Sequence, residues 1–260
     1  MWLKWTVGII LAALTAPILI IFIMSFTSVS YFQFPPPGFS TKWYQTFFEN
    51  SAWVESLYRS VKIAFFTTVL ATIIGTIAAN GVIRLHFPGK KFFMGLMIAP
   101  MIIPVVIVGI ALYRFFAPIH LTGTITGIVL SHTVLAVPIV FVTVLASLKG
   151  MDRNLELAAM GLGSTPMNAF FKVSVPFIRP SLFSGALFAF LISLDELVVT
   201  IFLAGPTTKT LPVKMWEDLR TQVEPTVAAI SSILIISIII IYLLQGYIAS
   251  NAEKARSKKI

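Results

Sequence analysis

Six long apolar runs constrain this chain more than any other feature of its sequence. Each run has about 20 residues, the length that an α-helix needs to cross the hydrocarbon core of a bilayer. The chain is 57% hydrophobic and only 11% charged, so a soluble domain of 260 residues could not bury this much apolar surface. The runs cover residues 7–26, 62–83, 93–115, 125–147, 182–204 and 226–247.

The continuity of the runs decides between the two folds that can cross a membrane. Backbone groups in lipid must be hydrogen-bonded within the span, which leaves helices or a closed barrel. The runs are continuous rather than short and alternating, so we predict helices. The expected fold is an all-α polytopic membrane protein with six transmembrane helices in one membrane domain, residues 1–260. The first run is too long, and lacks the cleavage site, for a removable signal peptide.

Several function classes are disfavoured by what the chain lacks. It has no cysteine, which excludes disulfides, thiolate metal sites and cysteine nucleophiles. Its three histidines, His86, His120 and His132, are far apart and form no metal-ligand spacing. No P-loop and no hydrolase motif occurs. The net charge of +9 comes from basic residues beside the apolar runs, not from a basic patch interleaved with aromatics. We expect no enzyme, no metal site and no nucleic-acid partner.

The distribution of basic residues favours an orientation with both termini in the cytoplasm. With the N-terminus inside, twelve of the 19 lysines and arginines fall on the cytoplasmic side, as the positive-inside rule requires. These are Lys4, Arg84, Lys90, Lys91, Lys149, Arg153, Lys172, Arg179, Lys254, Arg256, Lys258 and Lys259. The outer seven are Lys42, Arg59, Lys62, Arg114, Lys209, Lys214 and Arg220.

Three small residues in the second run, Ala71, Gly75 and Ala79, are spaced four apart. Small side chains at this spacing let two helices approach each other closely. The spacing serves either packing within this chain, which we favour, or an interface with another subunit.

A polar, helix-like stretch separates the fourth and fifth runs. Asp152–Leu162 is rich in helix-forming residues, and Gly163 is placed to end that helix. Ser164 is placed to cap a second short helix, with Pro166 in its first turn and Pro176 at its end. Two short cytoplasmic helices would suit contact with a cytoplasmic protein, or would rest on lipid headgroups. The residues alone leave both interpretations open.

Two adjacent acids, Asp195 and Glu196, lie near the middle of the fifth run. A charged residue at the bilayer centre costs at least about 2.5 kcal/mol on insertion scales, so such residues usually face a cavity or a partner. Neighbouring positions on a helix point about 100° apart, so both acids cannot line one narrow path equally. Either they meet a cationic substrate or they pair with a structural partner. His132 in the fourth run is a weaker pathway candidate, because a core histidine with satisfied hydrogen bonds is the more common case.

The segment between the fifth and sixth runs carries several charges around an aromatic residue, Trp216. Lys214 and Arg220 flank it. The segment is either a solvated amphipathic loop or a docking surface for an external protein.

The polar stretch resembles the cytoplasmic loop of ABC importer permeases, whose pattern is E-A-A-x3-G-x9-I-x-L-P. Ala158, Ala159, Gly163 and Pro176 match this pattern position by position. The first position of the pattern, a glutamate, is not matched, because this chain has Leu157 there. The resemblance makes residues 148–180, which we name the coupling loop, the contact with the ATPase. The implied contact residues are Glu156, Leu157, Ala158, Ala159, Gly161, Gly163 and Ser164.

Other segments extend this resemblance to the spermidine/putrescine (PotC-like) permeases. They are TKWY, RLHFPGKK, SHTVLAVPIVFVTVLASLKGMD and LDELVVTIFLAGPTTKTLPVKMWEDLRTQVEPTVAAISSIL. The family implies the type I (MetI-like) importer fold in the bacterial inner membrane. It also implies a second, non-identical permease, two ATPase subunits that bind ATP and Mg²⁺, and a soluble binding protein outside. By the same analogy, Trp216, Lys214 and Arg220 would touch that binding protein.

Polyamines, putrescine or spermidine, are the substrates that this resemblance favours. Related importers carry other small solutes, such as opines, amino-acid derivatives or phosphonates, so these remain alternatives. A secondary transporter is less well supported, because no inverted repeat is visible in the sequence and such a carrier needs no ATPase.

Overall fold

The computed structural model describes residues 2–221 and 224–257, including the side chains of residues 2–221, 224–243 and 246. Its α-helices are α1 (Trp2–Met24), α2 (Lys42–Glu49), α3 (Ser51–Arg84), α4 (Lys90–Ile102), α5 (Val105–Phe116), α6 (Ile125–Lys149), α7 (Asn154–Gly161), α8 (Pro166–Ala169), α9 (Val175–Asp195), α10 (Val198–Leu203), α11 (Leu211–Thr221) and α12 (Thr226–Ser257). An isolated β-bridge joins Thr27 to Phe39, and the described residues form no strand. The predicted all-α class is confirmed.

Five segments of the described chain are long and apolar enough to cross a membrane: Trp2–Met24, Ser51–Arg84, Ile125–Lys149, Pro166–Asp195 and Thr226–Leu243. The pair α4 and α5 makes a sixth candidate if the two helices cross together. Four of the six predicted runs fall mainly in one helix each, and the runs 93–115 and 182–204 are each divided between two helices.

The direction of crossing stays a prediction. Four of the basic residues that support it lie at the C-terminal end of the chain. Lys258 and Lys259 lie outside the described residues, as do the side chains of Lys254 and Arg256.

The third predicted helix is broken rather than kinked. The axes of α4 and α5 differ by 106° across the two-residue break at Ile103 and Pro104. Both residues have extended ψ angles, 133° at Ile103 and 128° at Pro104. A proline ring disfavours the helical conformation of the preceding residue and removes a backbone donor, which explains why the break falls here. Pro100 and Pro138 remain inside α4 and α6.

The fifth helix lies earlier in the chain than the sequence predicts. A single π-helical turn, Phe170–Ser174, joins α8 to α9, so the helical path runs unbroken from Pro166 to Asp195. The expectation that Pro176 ends a separate short helix is wrong. Pro176 lies in the first turn of α9, where its missing N–H is tolerated.

A compact unit, Ser56–Val213, is built around the buried helix α6. Helix α6 packs against α9 and α4, and its apolar side chains meet those of α3. The core residues from α6 are Ala136, Val137, Val140, Phe141, Val144, Leu145 and Leu148, and those from α3 are Ala71, Ala79 and Val82. Most of α6 is buried, and only a few of its side chains, such as Val134 (37%) and Val142 (40%), remain exposed, which agrees with its nearly uniform apolar sequence.

The small residues of α3 pack against α6. Ala71 and Ala79 are fully buried. A methyl group added at Gly75 would lie 2.8 Å from Cγ1 of Val140 and 3.0 Å from the backbone nitrogen of Phe141. The favoured interpretation, close packing within the chain, is confirmed.

The second compact unit joins the part of the chain before Ser56 to the part from Lys214 onward. In it, α12 packs against both α1 and α2. The indole nitrogen of Trp43 donates to the carbonyl of Thr27 (2.8 Å), and the hydroxyls of Ser25 and Tyr44 are hydrogen-bonded (2.7 Å). The apolar side chains of residues 2–22 are exposed along the whole of α1. So long an apolar surface needs lipid or another subunit around it.

Replacing Gly75 with alanine should weaken the fold. The added methyl group would overlap the branched side chain of Val140, and overpacking of this kind typically costs about 1–3 kcal/mol. We expect Gly75→Ala to lower the thermal unfolding temperature of the detergent-solubilised protein. Gly81→Ala is the matched control in the same helix, because a methyl group there meets nothing within 4 Å. Unfolding of Gly75→Ala at or above the wild-type temperature would contradict the packing described.

Candidate functional site

The fifth membrane helix ends where the two acids lie. Helix α9 stops at Asp195, Glu196 is extended with ψ 112°, and α10 begins at Val198. We call Glu196 and Leu197 the helix break. The prediction that Asp195 and Glu196 lie near the middle of a continuous helix is wrong. The helical path is interrupted there, and six further residues form the separate helix α10.

The two acids face different surroundings at the helix break. The Oε1 atom of Glu196 accepts a hydrogen bond from the backbone N–H of Val199 (2.8 Å), so its carboxylate caps the start of α10. The first N–H groups of a helix have no partner within that helix, and a carboxylate is well suited to satisfy them. The side chain of Asp195 is exposed. Asp195 is thus the more exposed of the two acids, and contact of either acid with a substrate stays a prediction.

His132 bridges the helix break from inside the protein. Its Nδ1 is hydrogen-bonded to the hydroxyl of Ser193 (2.8 Å) and its Nε2 to the hydroxyl of Thr200 (2.8 Å). Ser193 precedes the break in α9, and Thr200 follows it in α10. Thr200 also donates to the carbonyl of Glu196 (3.1 Å). A neutral imidazole has one donor and one acceptor nitrogen, so two hydroxyls satisfy it completely.

The burial of His132 bears on its predicted role. The side chains of His132 and Thr200 are completely buried, and that of Ser193 is almost completely buried. In this chain the imidazole holds two helices together and does not line an exposed surface. Contact between His132 and a substrate stays a prediction.

The coupling loop folds into α7 and α8, which are joined at Gly163. Gly163 has a φ of +92°, a conformation that favours glycine, so it ends the first helix as expected. The cap of the second helix is Thr165 rather than Ser164, because the Thr165 hydroxyl accepts from the N–H of Asn168 (3.2 Å). Pro166 occupies the first turn of α8, as predicted.

The predicted ATPase-contact residues divide into one buried side chain and an exposed group. Glu156 is only 3% exposed and points into the protein. Leu157 is 49% exposed and Leu162 is 90% exposed, so the outward surface of α7 and its C-terminal end is apolar. Exposed residues in this region are Leu155, Leu157, Ala158, Met160, Gly161, Leu162, Gly163, Met167 and Phe171, whereas Ala159 and Ser164 are partly buried.

Glu156 pairs with a residue that the sequence did not single out as functional. Both of its carboxylate oxygens contact the guanidinium group of Arg84, at the end of α3. In the sequence, Arg84 counts only toward the orientation of the chain in the membrane. The available signal was an arginine that ends an apolar run one helical turn after a polar residue, Asn80.

The predicted external contact residues lie on α11. Lys214 forms an ion pair with Asp218 (2.6 Å), and its ammonium group lies 4.8 Å from the centre of the Trp53 ring. The guanidinium group of Arg220 lies 4.6 Å from the ring centre of Trp216, which is 39% exposed. Cation–π contacts of this kind order the side chains of a surface without burying them. Their contact with another protein stays a prediction.

Removing one hydroxyl from the His132 bridge should destabilise the fold. Thr200→Val keeps the shape of the side chain but leaves a buried imidazole nitrogen without its partner, which typically costs about 1–3 kcal/mol. We expect a lower unfolding temperature in detergent. Thr143→Val is the control, because the Thr143 hydroxyl bonds to a carbonyl of its own helix (Ile139, 2.7 Å). Equal unfolding temperatures for the two variants would show that His132 does not hold the break.

Comparison with known proteins agrees with this architecture. The chain is 34% identical to the putrescine transport system permease protein PotI of Escherichia coli K12, over 98% of this chain and 94% of that protein. It is 31% identical to the spermidine/putrescine transport system permease protein PotC of the same organism, over 95% and 94%. Its fold matches a bacterial ABC transporter involved in the import of the acidic polysaccharide alginate, with a TM-score of 0.73, 16% identity, and coverage of 95% and 94%.

Residues 71–254 match the family model of the binding-protein-dependent transport system inner membrane component. With the two permeases above, this match covers most of the chain and includes both the helix break and the coupling loop. The chain belongs to the family of inner membrane permeases of binding-protein-dependent transport systems.

Proposed function

We propose that this chain is one permease subunit of an ABC importer for polyamines, putrescine or spermidine. The observation that carries the proposal is similarity over nearly the whole chain to two permeases named for these solutes. The fold alone does not select a cation, since it is shared with a transporter of an acidic polysaccharide. A chemical reason for a cation comes from Asp195, an exposed acid within the membrane region at the helix break.

The helix break would form part of the substrate path. Transporters often bind solutes where membrane helices are discontinuous, because the backbone and side chains there are free of the regular helical pattern. Asp195 would offer its carboxylate to the ammonium group of a passing polyamine. Glu196 would keep α10 in place, since its carboxylate is occupied by the N–H of Val199.

The coupling loop would connect the permease to its energy source. Its exposed apolar side chains suit a groove on a cytoplasmic ATPase, and closure of two ATPase subunits would turn the spans between inward- and outward-facing states. In this assembly ATP and Mg²⁺ would bind to the ATPase subunits rather than to this chain. The chain would form half of the path, and a second, non-identical permease the other half.

The orientation follows from the same assembly. Both termini and the coupling loop would face the cytoplasm of a bacterial cell, with the chain in the inner membrane. The surface of α11 around Trp216, Lys214 and Arg220 would then face outward, where a soluble binding protein delivers the solute. The two cation–π contacts would hold this surface ready for docking.

Other solutes and another transport class remain as alternatives to be tested. The same importer type could carry an opine, an amino-acid derivative or a phosphonate. A secondary transporter would work without an ATPase, so co-purification of an ATPase with this chain separates the two classes.

Reconstituted transport tests the proposal directly. The complete complex in liposomes, supplied with its binding protein, should take up labelled putrescine or spermidine in a saturable and ATP-dependent manner. Neutral and anionic solutes serve as the comparison panel. Uptake of a different solute would keep the importer and reject the polyamine substrate. An assembled complex that hydrolyses ATP but transports none of the solutes would count against the importer itself.

Neutralising Asp195 should slow transport more than neutralising Glu196. Asp195→Asn removes a charge-assisted contact, typically worth about 1.5–3 kcal/mol, so we expect maximal polyamine uptake to fall about tenfold or more. Glu196→Gln keeps an oxygen that can accept from Val199, so its effect should be smaller. Both variants should assemble with the ATPase at wild-type levels. Loss of assembly in Asp195→Asn, or a larger transport loss in Glu196→Gln, would reject the assignment.

A further inference from the structure

Arg84 gathers polar groups from three elements around one guanidinium group. Its two terminal nitrogens contact the two carboxylate oxygens of Glu156 in α7. One of them also donates to the hydroxyl of Ser174 (3.0 Å), in the π-helical turn before α9. The Nε atom donates to the side-chain oxygen of Asn80, one turn earlier in α3. The ring of Phe170 lies with its centre 5.7 Å from the guanidinium carbon.

These contacts fasten both ends of the coupling loop's helical part to one side chain. Glu156 lies near its start and Ser174 near its end, and both are buried. Between them the chain turns at Gly163, where a methyl group would meet nothing within 4 Å. Because Glu156 and Ser174 both contact Arg84, this side chain links the helical part of the coupling loop directly to α3.

The geometry uses what distinguishes arginine from lysine. A planar guanidinium group can bind both oxygens of a carboxylate at once and still donate from its remaining N–H groups. A lysine ammonium group keeps the charge but lacks this fork. The neighbouring π-helical turn is of a kind that is rare and occurs frequently at functional sites. Both features indicate that Arg84 has a specific role and is not only a surface charge that aids solubility.

Glu156 points into the protein, so its contact with Arg84 is internal and is not a contact with a partner subunit. It is the one acid within the sequence of α7, and its carboxylate is turned inward to Arg84. The outward surface of α7 carries Leu157, at the place where the family pattern has its glutamate. In this chain the acid of α7 serves an internal link, and the surface offered to the ATPase is apolar.

We propose that Arg84 is a positioning residue that couples the motion of the coupling loop to α3. This inference rests on the proposed function. A displacement of the loop by the ATPase reaches α9 along the continuous chain, and it reaches α3 through the Arg84–Glu156 pair. With both routes intact, α3 and α9 move together around α6, against which both pack. Without the pair, the ATPase would still close but would move α3 less effectively.

The test measures the number of ATP molecules hydrolysed per solute transported. Glu156→Gln removes the charge with little change of shape, and Arg84→Lys keeps the charge but removes the fork. Both should co-purify with the ATPase and should hydrolyse ATP. We expect uptake to fall about tenfold, as for the loss of a coupled pair, while ATP hydrolysis falls much less, so the ratio rises several-fold. The exchanged pair, Arg84→Glu with Glu156→Arg, should recover part of the wild-type ratio.

Two control variants carry the same two types of substitution, Glu to Gln and Arg to Lys, at exposed positions outside the coupling loop. Glu49→Gln alters an exposed carboxylate in α2, and Arg114→Lys alters an exposed guanidinium group in α5. Both should keep the wild-type ratio of ATP to solute. These controls separate a specific loss of coupling from a general effect of changing one charge.

The possible outcomes separate this inference from the proposed function. A wild-type complex that does not transport polyamines rejects the substrate, and the ratio is then measured with whichever solute it does carry. Wild-type transport with an unchanged ratio in Glu156→Gln and Arg84→Lys overturns the role of Arg84 alone. Loss of assembly in both variants also overturns it, because the pair would then serve folding rather than coupling.

Discussion

The packing of α6 between α3 and α9 is the constraint on which the membrane core depends. Val140 of α6 is enclosed from two sides by glycines, since a methyl group at Gly75 would meet its side chain at 2.8 Å and one at Gly185 would meet its Cα at 3.4 Å. With no hydrophobic driving force between helices in lipid, such close contact supplies much of their association. The helices that carry Arg84 and Asp195 are therefore held on the same central helix.

Two polar side chains of the core, those of His132 and Glu196, contact the point where a regular helix stops. His132 joins the two sides of the helix break, and Glu196 satisfies the first turn of α10. An unsatisfied polar group in hydrocarbon costs several kcal/mol, so these contacts allow the break to exist. Asp195, the last residue of α9 before the break, is exposed. A structural network and a candidate transport residue are thus built from neighbouring positions, with different tasks for the two adjacent acids.

The sequence predicted the helical class, the approximate spans and the glycine turn at Gly163, because these follow from local composition and from rules for single residues. It did not predict the break after Asp195, since LDELVV contains neither glycine nor proline and reads as continuous helix. The helix stops where the His132 bridge and the Glu196 cap favour a different path; the bridge joins residues 61 and 68 positions apart, so the sequence pattern does not reveal it, whereas the cap is local. The Arg84–Glu156 pair joins residues 72 positions apart, a distance that periodicity cannot bridge.

Accessibility at position 195 tests most directly that the helix break lines a path with alternating access. The chain has no cysteine, so Asp195→Cys would carry the only thiol of this subunit. Its labelling by a membrane-impermeant thiol reagent would be measured in the assembled complex, from each side of the membrane, with and without trapped nucleotide. We predict that the side from which the thiol reacts changes when nucleotide is trapped. A thiol that reacts from neither side, or equally in both states, would contradict it.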